Sequence, residues 1–366
     1  MEKAFPTGTF VLLVGTKRGL FLLTSPDREN WTVQSESLRG TRVFNAVLDQ
    51  RSGQRIFAAD NGDFFGTFLR YSDDFGVTWQ EPTQGIQFPE ESGRKLTNIW
   101  IIQPGRNDDP DVVYAGVDPA SLWKSTDRGE TWNLVTGLEE HPTRETWGPG
   151  AGGLCLHSIV PDYSDPDRMW VGISAVGCMK TVDGGENWTH ANKNTRAGFQ
   201  PNIYPEYGQC IHRLVQHPSQ PDTLYQKNHC GVYMSSDGAD DWQDIQRNLP
   251  SEFGFPIALD VHNPETLFTI VEDGMARTNV DKYFTVYRTE KPGDDWQETR
   301  SGLPEGTNVR LGVLRHGMCA DTQDPCGIYV GSNTGQLFAS TDRGENWRMI
   351  CDFLPAIYSV NVAVVQ

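Results

Sequence analysis

Two short segments of one pattern carry the residues best suited to chemistry. Cys155-Leu156-His157 and Cys210-Ile211-His212 each set a thiol and an imidazole two positions apart. Residues i and i+2 of an extended strand point to one face, so each segment presents both groups together. His229-Cys230 adds a third pair. Imidazole and thiolate with an open coordination position suit zinc, copper or iron. The candidate metal set is therefore His157, His212, His229, Cys155, Cys210 and Cys230. The spacing is not that of a recognised zinc motif, and cysteine is also a common small core residue. Without a metal, the histidines can serve as acid–base groups for a small polar ligand.

The candidate catalytic residues are His157, His212, Arg213, Glu206 and Tyr207. The candidate ligand-binding residues are Asn98, Trp100, Arg144, Trp147 and Asn228. Carboxylate pairs would signal a glycosidase. Asp63, Glu90, Glu91, Glu145, Glu206, Asp260, Glu272 and Asp273 are available, but spacing singles out no pair among them. The glycine run 148–153 is not a phosphate loop, because no helix follows it. It suits a backbone that passes close to a neighbouring structure.

These residues must be placed by a repeat. Ser125-Thr126-Asp127-Arg128-Gly129-Glu130-Thr131-Trp132 reads Ser-x-Asp-x-Gly-x-Thr-Trp. Full copies end at Trp79, Trp188 and Trp347. The copy ending at Trp242 lacks the glycine, the one ending at Trp296 lacks the acid, and Thr24 to Trp31 keeps little more than the two ends. Successive tryptophans lie 48 to 56 residues apart. The hydroxyl and carboxylate accept backbone N–H groups of a tight turn, the glycine supplies a positive φ, and the tryptophan starts the returning strand. Each copy is a rigid hairpin corner. A unit of this period cannot bury its own faces, so its neighbours must stack on it.

The motif resembles the Asp-box, or BNR, repeat of sialidases and related β-propellers. Seven in-phase copies imply an all-β, seven-bladed propeller spanning residues 1–366 as a single domain. Each repeat reads strands A, B, C, Asp-box hairpin, D. The expected A strands, which line the channel, are 43–49, 96–103, 154–160, 210–217, 256–262 and 309–315. The first repeat lacks an A strand, and 357–364 is left over at the other end. It is expected to pair beside 10–15 and close the ring. In this architecture the boxes lie on one face. The B–C and D–A loops lie on the other, where 85–95, 137–153, 193–209 and 272–285 are long.

Segments 150–158, 228–233 and 254–257 look like bacterial seven-bladed proteins described as sialidase-like or glycosyl-hydrolase-like. The resemblance implies a pocket at the channel mouth acting on a small polar or carbohydrate-like ligand, in hydrolase- or lyase-like fashion. A genuine sialidase is not expected. Those enzymes have six blades and an early Arg-Ile-Pro, where this chain reads Gly15-Thr16-Lys17-Arg18-Gly19. Similar propellers include a photosystem II assembly factor and xyloglucanase domains. A non-enzymatic scaffold that binds a protein partner through the same face is therefore the alternative, and whether the chain is an enzyme stays open.

A net charge of −17 argues against nucleic-acid partners and anionic membrane surfaces. Seven cysteines in no disulfide-like spacing, and an N-terminus without a signal pattern, fit a cytoplasmic protein with reduced thiols.

Overall fold

The computed structural model describes residues 5–63 and 66–366. Seven antiparallel sheets form the blades, six of four strands and one of three. In the three-stranded blade, the second, the outermost strand is reduced to a bridge between Tyr71 and Gln80. The ring closes as the leftover segment implies. Ile357–Val364 pairs antiparallel with Phe10–Thr16, from Phe10 opposite Val364 to Thr16 opposite Ile357. Gly19–Ser25 and Thr32–Ser37 complete that blade.

Each Asp box is a small hydrogen-bonded cage. Ser125 Oγ donates to Asp127 Oδ1 at 2.7 Å and accepts from Gly129 N at 2.8 Å. Asp127 accepts from the backbone and hydroxyl of Thr131, at 2.9 and 2.6 Å. Two consecutive left-handed residues, Arg128 and Gly129, make the corner. Ala239 takes the glycine position of the fifth blade at φ 71. The first box is real but shifted. It opens at Ser25, not Thr24, with Asp27 accepting from Asn30 N, one residue earlier than in the other boxes. In the fourth blade, hydrogen bonds from the Asn187 backbone and side chain, then Thr181, hold Asp183 at about 2.

The box tryptophans lock neighbouring blades. Trp132 is fully buried against Phe57, Ala59 and Val113 of the second and third blades. Its indole N–H donates to Gly129 O, so burial leaves no polar atom stranded.

One inner strand differs from expectation. Segment 309–315 is not a strand; the inner strand of the seventh blade is Met318–Ala320. Side chains replace strand pairing along the earlier segment. Leu311, Gly312 and Val313 donate their N–H groups to Asn279 Oδ1, Asn333 Oδ1 and Glu272 Oε1. Its alternation of apolar residues is genuine, because Leu311 and Val313 are buried, but they fill the core of the sixth and seventh blades.

Four inner strands carry an extra residue near the channel mouth. The register slips between Val43 and Ala46, Ile99 and Ile101, Leu156 and Ser158, and Ile211 and Arg213. Trp100, His157 and His212 occupy bulged positions, where a side chain can be re-aimed.

Removing residues 356–366 strips the first blade of its inner strand and exposes the edge of Phe10–Thr16. The truncated chain is expected to be insoluble or unfolded, by expression and circular dichroism. A soluble product with an unchanged melting temperature would contradict ring closure.

Candidate functional site

The B–C and D–A connections of blades four to seven enclose a cavity of about 480 Å³ at the channel mouth. Cys210, His212 and His229 line it, with ligand atoms all within 4.8 Å of one another. His212 stands on the fifth inner strand, Ile211–His217, and Cys210 immediately precedes that strand. His229 sits in the turn between Gln220–Asn228 and Gly231–Ser235, its backbone N–H donating to Cys210 O at 2.9 Å. The bulge at His212 keeps it beside its thiol neighbour: Cys210 Sγ lies 3.6 Å from His212 Nε2. The other ring nitrogen, Nδ1, is 2.6 Å from Gly254 O.

The matching segment of the fourth blade behaves differently. His157 is fully buried, with Nε2 3.0 Å from Ile211 O and Nδ1 3.1 Å from Ser158 Oγ. Cys155 donates to Ser174 Oγ, and burial raises its thiol. The bulge has turned His157 into the joint between blades, so the expected convergence of three histidines is reduced to two. Cys230 is also outside the cluster, and its sulfur accepts from Gly198 N at 3.3 Å.

The remaining candidates divide by position. Trp100 lines the channel and stacks near Phe44, with the Arg315 guanidinium 5.3 Å from its ring. Arg213 points away from the mouth to His316 Nδ1 across the channel, and burial lowers it to about 10. Asn98 is buried beside Asp118, with which it hydrogen-bonds. Asn228 is buried and holds Cys230 N and Gln226. Arg144, Trp147 and Tyr207 gather in a separate loop cluster with His141 and His190, where Tyr207 stacks on His190 at 4.5 Å. Arg144 is 3.6 Å from Glu139, and Trp147 donates to Thr143 Oγ1. Glu206 is exposed to solvent. None of these eight residues lines the cavity.

Three charged residues dominate the cavity instead. Arg315 lies between the rings of Trp100 and Phe255, and donates to Ser174 Oγ at 3.3 Å. Arg277 covers Phe253, 3.8 Å from its ring centroid. Neither guanidinium has an ion-pair partner among the described residues. Glu272 is the carboxyl of the wall, accepting from Val313 N at 2.7 Å. Burial raises it to about 7, against that hydrogen bond and the Arg277 charge. Behind the wall Lys227 is fully buried, donates to Glu252 O, and is lowered by burial to about 7. A protein of net charge −17 thus turns a cationic mouth to solvent.

Glu272 was visible among the loop carboxylates, but nothing in spacing distinguished it. Arg277 and Arg315 were missed. Arg315 was hidden because 309–315 reads as a strand, which directs attention to its apolar alternation. A second hollow of about 580 Å³ lies between the second blade and the 85–95 loop. Its arginine, Arg94, is already paired with Glu139.

The fold and box geometry define a seven-bladed Asp-box propeller, and the comparisons agree. The BNR/Asp-box repeat family matches residues 70–81, the box of the second blade. An oligoxyloglucan-reducing end-specific xyloglucanase from Emericella nidulans is 22% identical over 353 residues, covering 83% of this chain. The chain spans only 40% of that relative's length. The solved GH74 enzyme of Niastella koreensis superposes with a TM-score of 0.62 at 19% identity, over 95% of this chain and 55% of that one. YCF48 bound to a D1 peptide gives 0.55 at 12% identity, over 100% and 99% of the two chains. Structural likeness at these identities establishes the fold. The chain is a seven-bladed β-propeller with Asp-box corners, similar over most of its length to xyloglucanases.

Glu272 also gives the site a pH signature. Its folded value of about 7 lies above the ordinary 4.5, so the native state holds a proton that the unfolded chain releases between these values. The resulting stabilisation is complete below the unfolded value and is lost as pH rises through the folded one. Glu272→Gln keeps the acceptor for Val313 but has no proton to lose. Between pH 5 and pH 8, wild type is expected to lose on the order of 2–3 kcal/mol relative to the variant in urea unfolding. A difference that is the same at both pH values would contradict the buried, raised carboxyl.

Proposed function

We propose that the channel-mouth cavity binds a small acidic carbohydrate, a uronic acid or related sugar acid, and cleaves it by acid–base chemistry. One observation carries the reading: two arginines without carboxylate partners face one buried carboxyl held near neutrality, in a protein that is otherwise strongly acidic. Arginine is well suited to a carboxylate because its fork donates two parallel N–H bonds. A group titrating near the working pH is suited to both giving and taking a proton. The xyloglucanase relatives support a carbohydrate ligand, and the cationic lining supports an acidic one.

The reaction best matched to a single wall carboxyl is β-elimination. Hydrolysis by the usual route uses two carboxylates across the scissile bond. In elimination, Arg277 and Arg315 hold the sugar carboxylate and stabilise the charge that develops on it. Ionised Glu272 takes the proton from the adjacent carbon. That electron pair forms a C=C bond as the C–O bond to the leaving sugar breaks, and the proton passes from Glu272 to the leaving oxygen.

A second reading, capture of a peptide without catalysis, has one observation in its favour. The chain matches YCF48 in its complex with a D1 peptide over nearly the whole of both chains.

Calorimetry with a uronate disaccharide and with a neutral disaccharide tests the proposal, together with absorbance of the unsaturated product. The acidic sugar is expected to bind at least tenfold more tightly. Arg277→Gln and Arg315→Gln should each weaken it about tenfold or more, a loss of about 1.4 kcal/mol. Glu272→Gln should bind but turn over at least a hundredfold more slowly. Equal affinity for both sugars would overturn the acidic-ligand reading. Binding without product would overturn the catalytic part and favour capture.

A further inference from the structure

We infer that Cys210, His212 and His229 form a transition-metal site of the zinc type, with its open coordination position directed into the cavity. Three features of the geometry carry this. The first is distance. A tetrahedral ion at about 2.3 Å from sulfur and about 2.0 Å from nitrogen sets those two ligands about 3.5 Å apart. Cys210 Sγ and His212 Nε2 are 3.6 Å apart.

The second is the tautomer. Gly254 O can only accept, so His212 Nδ1, 2.6 Å away, carries the ring proton. Nε2 is then left with a lone pair aimed at the thiol. A backbone carbonyl on the distal nitrogen is the usual way a ligating histidine is oriented. The contact also packs His212 against Phe255, whose ring centroid is 4.6 Å away.

The third is that His229 is uncommitted. Neither of its ring nitrogens has a hydrogen-bond partner among the described residues, while its ring is caged by Phe199, Phe253 and His212. It is half-buried, and its ligand nitrogen already lies within 4.8 Å of the Cys210 and His212 ligand atoms. The three ligands come from one strand, the residue preceding it and the adjacent turn. Those backbones are tied by the His229 N–H bond to Cys210 O.

Metal binding displaces the thiol proton and leaves a thiolate on the ion. Arg277, over the same Phe253 ring that packs on His229, and Arg315 disfavour a bare cation and favour an anion in the fourth position. Assigning that position to a sugar carboxylate rests on the reading above; the three protein ligands do not.

The test starts from full-length protein freed of metal by a chelator. It is titrated with cobalt(II) and followed by the thiolate-to-cobalt charge-transfer band, with zinc competition. The expected result is a band saturating at about one equivalent. The band should be absent in Cys210→Ser, and affinity should fall at least a hundredfold in His229→Gln. Circular dichroism must show both variants folded. His229, being half-exposed, supplies the second arm if Cys210→Ser misfolds. No band in wild type, or the same binding in wild type and a folded variant, would overturn the site. Uronate binding that survives demetallation alongside an absent band would overturn this inference and leave the acidic-ligand reading standing. A band without uronate binding would do the reverse.

Discussion

The structure depends on one constraint: the last strand must pair with the first. Without the bond ladder between Ile357–Val364 and Phe10–Thr16, seven sheets would form an open arc with two raw edges. Closure fixes the angle between neighbouring blades, and the box tryptophans fix their distance. Only then do Cys210, Arg277 and Arg315, which lie far apart in sequence, surround one cavity. The cages at the box corners do the same work locally. Each satisfies its own turn, so the opposite face is free to carry long connections without unsettling the sheets.

Those connections create an electrostatic inversion. The chain as a whole repels anions, yet the mouth presents two guanidiniums without acidic partners. Their charge is retained by placement over aromatic rings rather than by carboxylates: Arg315 between Trp100 and Phe255, Arg277 over Phe253. Such contacts hold a guanidinium in position while leaving its N–H groups available. Pairing with Asp or Glu would have neutralised it. Glu272 sits close enough to Arg277 to feel its charge, but burial dominates and keeps the carboxyl near neutrality. The cavity therefore combines fixed positive charge with one adjustable proton.

The sequence made the scaffold legible because its signal is repeated. A misread box, such as the one opening at Ser25 instead of Thr24, changes nothing when six others keep phase. The site has no such redundancy. Cys155-Leu156-His157 and Cys210-Ile211-His212 are alike in sequence, yet one His joins two blades and the other faces the cavity. The difference lies in what each meets: His157 finds Ile211 O across the blade joint, whereas His212 finds Gly254 O and leaves Nε2 free. Neither partner is close in sequence. Arg315 was obscured for a related reason. Segment 309–315 alternates like a strand, but its N–H groups go to the side chains of Asn279, Asn333 and Glu272, all distant in the chain.

The most direct test of the account is a crystal structure of the protein soaked with a uronate disaccharide. The account predicts density in the mouth with the sugar carboxylate bridging Arg277 and Arg315 and the neighbouring carbon within reach of Glu272. Sugar bound elsewhere, for instance in the hollow beside the 85–95 loop, with those arginines untouched, would contradict it.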